Sequence, residues 1–184
     1  MIVLEIEPLD LGDDVRSISL ELTEADENRE PIRGEHASRV WSRVLRAVAS
    51  AEPWVLDFFS HVDRVRDYCT LHKIPFRESG KHVLVVVAPE LEILQPLLDR
   101  FQAETFGARA GSPASTPDPT LEGHLARRGI DGYHAAYKNY FFCAACGFED
   151  GSLVLFSEKL SVSEIMRRVR PALLGQDVEV RLPA

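Results

Sequence analysis

The sequence predicts an α+β protein: a mixed sheet of five to seven strands with helices packed against it. Three observations carry that prediction. Segments at both ends alternate apolar and polar residues, the period of a half-buried strand; two interior runs, residues 83–87 and 140–146, are almost wholly apolar; and other stretches repeat apolar residues every three to four positions. With 184 residues the chain can bury one sizeable core but not two, so residues 1–184 are expected to form a single domain.

Ile2, Leu4 and Ile6 alternate with Val3, Glu5 and Glu7, and Ile18, Leu20 and Leu22 alternate with Ser17, Ser19 and Glu21. Turn residues between them suggest a loose hairpin. Residues 24–34 are acidic and aperiodic, a loop. From Glu35 the period becomes helical: Val40, Trp41, Val44, Leu45 and Val48 form an apolar stripe, with Arg39, Arg43 and Arg46 opposite. Pro53 divides this helix from a second stripe of Trp54, Phe58, Val62, Val65, Cys69 and His72, so residues 35–72 are expected to form an αα-hairpin.

Residues 83–87, apolar at every position, predict a strand covered on both faces. A helix is expected from about Pro96 to Phe106, because Pro is tolerated in a first helical turn and costs about 3 kcal/mol in the interior. Residues 107–120 are small, Pro-rich and without periodicity, and read as a mobile loop that could cover a site. A short helix over residues 121–128 ends at Gly129. The C-terminal third predicts a β-hairpin–α–β unit over residues 139–182. Asp150-Gly151 marks the hairpin turn, Ser161 and Glu164 form a capping box, and Val178, Val180 and Leu182 supply the last strand.

The net charge of −8 is unevenly placed. Residues 1–35 hold eleven acids and three bases, whereas the other 149 residues balance at eighteen of each. An acidic N-terminal face could dock a basic partner, or could simply be solvated. The stripe of Arg39, Arg43 and Arg46 could dock an acidic protein surface, including the N-terminal face of a second copy. A pI of about 5.3 and the lack of aromatic residues among the arginines argue against nucleic acid. No apolar run approaches a membrane span, and the N-terminus lacks the basic and apolar regions of a signal peptide.

Four residues have the spacing of a zinc site. Cys69 and His72 form a Cys-x-x-His pair, and Cys143 and Cys146 form a Cys-x-x-Cys pair followed by Gly147. Both pairs sit in apolar stretches where cysteine packs as a small hydrophobe. If residues 140–146 stay extended, Cys143 and Cys146 point to opposite faces. Nucleotide-binding glycine motifs and recognisable catalytic sets are absent. The expected function is therefore that of a non-catalytic cytoplasmic accessory or adaptor protein without cofactor, binding a protein partner or small ligand. The alternatives are a zinc-stabilised domain and a small enzyme with a thiol- or loop-covered site.

Overall fold

A computed structural model of the chain describes residues 1–10, 16–26, 28–50, 52–59, 62–79, 82–87, 91–101, 106–111, 114, 116–147 and 151–183. The expected α+β mixed sheet is present. Its strands are β1 (Ile2–Asp10), β2 (Arg16–Glu24), β3 (Trp54–Phe58), β4 (Phe76–Ser79), β5 (His82–Val87), β6 (Phe106–Ala110), β7 (Phe142–Gly147), β8 (Ser152–Phe156) and β9 (Val178–Arg181). They form one nine-stranded sheet in the order β4-β5-β3-β6-β7-β8-β2-β1-β9. All neighbouring pairs are antiparallel except β1 and β9, which run parallel.

Two of these strands lie where the sequence suggested otherwise. The αα-hairpin expected over residues 35–72 is not formed. Helix α1 (Gly34–Ala49) ends at Ser50, whose φ of 55° breaks the ladder, and β3 intervenes before α2 (Val62–His72). Trp54 and Phe58 fit a helical period and a strand period equally well. Pairing decides, because β3 is flanked on both sides by β5 and β6 and is buried at every position. Likewise, residues 107–110 of the expected loop belong to β6, and only the stretch after Gly111 connects to α4 (Pro119–Arg128). Helix α3 (Leu91–Phe101) begins a turn and a half before Pro96 and carries that proline inside it, so the start expected at Pro96 and the end at Phe106 are both displaced. Leu97, Leu98 and Phe101 are buried as expected, and this packing outweighs the ladder bond that Pro96 cannot make.

The C-terminal unit agrees with expectation. β7 and β8 pair in register, and the side-chain oxygen of Ser161 caps α5 (Val162–Ala172) by accepting from the Glu164 N–H at 3.3 Å. Pro171 falls in the last turn of α5. The Asp150-Gly151 turn lies largely outside the described residues, as does the connection between β1 and β2. The two apolar runs are not neighbours: β3 and β6 separate β5 from β7.

The two faces of the sheet differ. On one face α1, α2, α3 and α5 pack over Leu4, Leu20, Leu56, Phe142 and Leu155 to form the main core. Trp41 and Trp54, both fully buried, anchor it, and Arg168 ties α5 to α1 by donating to the Val48 carbonyl at 2.9 Å. On the other face, α4 and two 3-10 helices, Gly129–Ala135 and Tyr137–Asn139, cover a smaller cluster centred on Val55, Leu121, Tyr133, Tyr137, Cys143 and Phe156. Among the described residues no α-helix lies over the same face of β1, β2 and β9, although Val3, Glu5, Ser17, Ser19 and Thr23 there are buried and the Arg16 N–H at the start of β2 donates to the Tyr137 hydroxyl at 3.3 Å. This second face is therefore divided into a sector capped by α4 and a more open one, where Glu7 and Glu21 are half-buried and Glu179 is exposed.

Candidate functional site

Strand alternation places Arg77, Asp57, Arg109 and Cys143 on the second face, beneath the cap. Asp57 and Arg109 are both fully buried and paired: Nε and one terminal nitrogen of Arg109 approach the two Asp57 oxygens at 3.1 and 3.3 Å. The Tyr133 hydroxyl donates to Asp57 at 2.5 Å, and Arg109 donates to the Tyr140 hydroxyl at 3.2 Å. Tyr140 in turn donates to Asp118 at 2.6 Å, whose other oxygen caps α4 by accepting from the Leu121 N–H at 3.0 Å. Glu122 of α4 accepts from Arg77 and Ser79 of β4, at 2.5 Å each.

This network stitches the cap to the sheet. Buried charges need pairing and hydrogen bonding, and here the fully buried Asp57 and Arg109 have both. Burial and the adjacent Asp57 carboxylate raise the Tyr133 phenol well above its ordinary value, so it stays a donor. Burial opposes the charge of Arg109, but Asp57 and the two tyrosines hold its pKa above the ordinary value. Burial works against Glu122 too, yet its bonds to Ser79 and Arg77 keep its carboxyl below the usual range. A Cβ at Gly107 would lie 2.3 Å from the Tyr133 hydroxyl oxygen, so the ring rests directly on the β6 backbone. Every charged group named has an ionic or hydrogen-bonded partner within the protein, although the buried Nε of Arg77 has no hydrogen-bond partner, so the cluster is largely occupied by itself.

The open sector carries its charge differently. Strand register aligns Glu21 of β2, Glu5 of β1 and Arg181 of β9 in one row. Glu7 stands two residues along from Glu5, and Glu179 two before Arg181. Two carboxylates directly opposite each other repel across a sheet. Glu5 is compensated: it is buried, receives Arg181 at 3.1 Å, and receives Arg29 in a short contact. Arg29 reaches it from a turn in which Asp26 accepts from the N–H groups of Asn28 and Arg29, at 3.1 and 3.0 Å. Glu7, Glu21 and Glu179 have no ion pair among the described residues. The polar row of Ser17, Ser19 and Thr23 borders them.

The four candidate zinc ligands are not brought together. Cys146 and Cys69 belong to the helix-side core, whereas Cys143 belongs to the cluster beneath the cap. His72 is exposed at the end of α2, its ring 4.2 Å from that of Tyr68. All three thiols are unpaired and buried; burial pushes Cys69 up to about 11 and raises Cys143 and Cys146 well above the ordinary thiol value. Among the described residues no group of three or more His, Cys, Asp or Glu side chains is gathered as a metal would need. The arginine stripe lies on α1, across the sheet from the acidic row. Arg39 and Arg46 are exposed, and Arg43 buries its Nε without a hydrogen-bond partner.

Asp57 and Arg109 fall within the expected αα-hairpin and the expected loop, and only the pairing of β3 with β6 reveals them as site residues. The acidic face, by contrast, was visible as the charge excess of residues 1–35. The chain matches no protein-family model, no curated protein and no solved structure. Among the described residues no helix is long and apolar enough to cross a membrane.

Proposed function

We propose that this protein is a non-catalytic accessory or adaptor protein of the cytoplasm that binds a basic protein segment on the open sector of its sheet. The observation that carries this reading is the row of Glu5 and Glu21 in direct opposition, with Glu7 and Glu179 beside it and, among the described residues, only Arg29 and Arg181 in compensation. Like charges held opposite one another cost stability, and a cationic partner relieves that repulsion. Val3, Ser17, Ser19 and Thr23 on this face are buried, whereas Glu7 and Glu21 are half-buried and Glu179 is exposed, so the carboxylates are what the face offers to a partner. The buried, unpaired thiols fit a reducing compartment.

The test is fluorescence anisotropy with a labelled synthetic peptide of alternating lysine and valine. Binding should saturate at one peptide per chain and weaken as salt screens the charges. Replacing Glu7 and Glu21 together by Gln should weaken it at least about fivefold. The same charge change made elsewhere, with Asp67→Asn and Asp131→Asn, should leave it unaltered; both residues are exposed and lie on α2 and the 3-10 helix Gly129–Ala135, not on the strands of the row. Absence of binding, or equal loss in the two double variants, overturns the proposal.

A further inference from the structure

The two edges of the sheet are finished in opposite ways. At one edge β4 is polar, and its charges are held: Arg66 grips Glu78 at 2.5 Å, and Arg77 is drawn to Glu122. At the other edge β9 has only β1 for a neighbour. Ile2 N–H donates to the Asp177 carbonyl at 3.2 Å, so the backbone groups of residues 177, 179 and 181 face β1. Those of Val178 and Val180 face outward, with the Val180 carbonyl reached only by the exposed Arg170 guanidinium at 3.4 Å. Beside this edge lies a pocket of about 480 Å³ lined in part by Met1, Leu173, Leu174, Val178 and Val180. Three of the four exposed large apolar residues among those described, Met1, Leu174 and Leu182, cluster there.

We propose that β9 pairs antiparallel with β9 of a second copy, about a two-fold axis at Val180, joining the two sheets into one. The sequence Val178-Glu179-Val180-Arg181-Leu182 is self-complementary in this register. Val180 meets Val180 of the second copy, and the outward backbone groups of both make the hydrogen-bonded pair on the axis. Glu179 meets Arg181 and Arg181 meets Glu179, two reciprocal ion pairs in the closer, non-hydrogen-bonded positions. Val178 meets Leu182, whose exposed side chain then enters the apolar pocket of the other copy. Arg181 keeps Glu5 while it accepts Glu179, since a guanidinium offers five donors. An isologous edge contact of this kind closes at two copies. It also places both acidic faces on the same side of the joined sheet.

Sedimentation velocity over about a hundredfold range of concentration tests the proposal. The wild-type chain should pass from monomer to dimer. Val180→Pro removes the N–H that points away from β1 and should abolish the dimer while sparing the far-UV spectrum. Glu179→Lys alone and Arg181→Glu alone set like charges opposite each other twice, and each should weaken self-association at least about tenfold. Mixing those two variants should restore a heterodimer, because Lys meets Glu at one position and Arg meets Glu at the other. A wild-type monomer throughout, or a dimer indifferent to Val180→Pro and to the charge changes, overturns the proposal. So does failure of the mixture to recover. Peptide binding is read separately on Glu7 and Glu21, so neither result decides the other.

Discussion

The capped and open sectors share one face of one sheet and solve opposite problems. Beneath the cap, Asp57 and Arg109 are fully buried, and every charge is matched by an ion pair, a tyrosine hydroxyl or a helix cap. On β1 and β2, Glu5 stands opposite Glu21, and among the described residues only the first is compensated. A charge cluster that satisfies itself holds the structure together. One that leaves carboxylates unmatched holds a potential to attract. The difference between architecture and recognition here is the completeness of pairing, not the number of charged groups.

The comparison breaks most visibly if the buried pair is opened. Asp57→Ala leaves the Arg109 guanidinium desolvated and should cost about 3–5 kcal/mol by chemical denaturation. Asp57→Leu combined with Arg109→Met should recover much of that loss, because an apolar pair of similar volume avoids the desolvation. Tyr133→Phe removes only the hydroxyl that donates to Asp57, and should cost about 1.5–3 kcal/mol, the range for a hydrogen bond to a charged group. If the two single variants instead cost nothing measurable, the cap is not anchored by this network.

Most of the architecture could be read before the structure, and the parts that could not share a cause. Alternation at Ile2–Ile6 and Ile18–Leu22, the N-cap at Ser161 and the Gly129 stop are local signals, and they hold, although the Glu164 carboxylate turns to Arg167 and Arg168. β3 was hidden because Trp54, Phe58, Val62 and Val65 fit a helical spacing across what is really a strand, a connection and a helix. β6 was hidden because its small residues read as a loop. Gly107 is small because Tyr133 lies against it, and nothing near Gly107 in the sequence announces that. The Asp57–Arg109 pair spans 52 residues, so neither charge carries a local sign of burial. The acidic face was legible as composition, but the opposition of Glu5 and Glu21 required the register.

Acid should separate the sectors further. Glu122 has its carboxyl held below the ordinary value of 4.5 by Ser79 and Arg77. A carboxyl depressed in the folded state stabilises above its unfolded pKa, and that stability is lost as pH falls through the folded value. Thermal stability should therefore decline as pH drops below about 4.5, and Glu122→Gln should flatten the decline while lowering stability at neutral pH. Equal slopes in the two proteins would remove Glu122 from the anchoring network.

The smallest effect is the most telling, because its sign is reversed. Glu21→Gln relieves the repulsion from Glu5 across β1 and β2, and should stabilise the fold by a few tenths of a kcal/mol, up to about 1. The same substitution removes a carboxylate from the face proposed to bind a basic segment. Differential scanning calorimetry should therefore show a higher midpoint for a protein that holds the lysine–valine peptide less tightly. A residue kept for packing loses stability when it is changed, as Asp57 should. A residue kept for recognition can gain it, since the repulsion stored between Glu5 and Glu21 serves the complex and not the free protein. If Glu21→Gln destabilises, the pair is already relieved within the free chain, and the open sector differs from the capped one only in exposure.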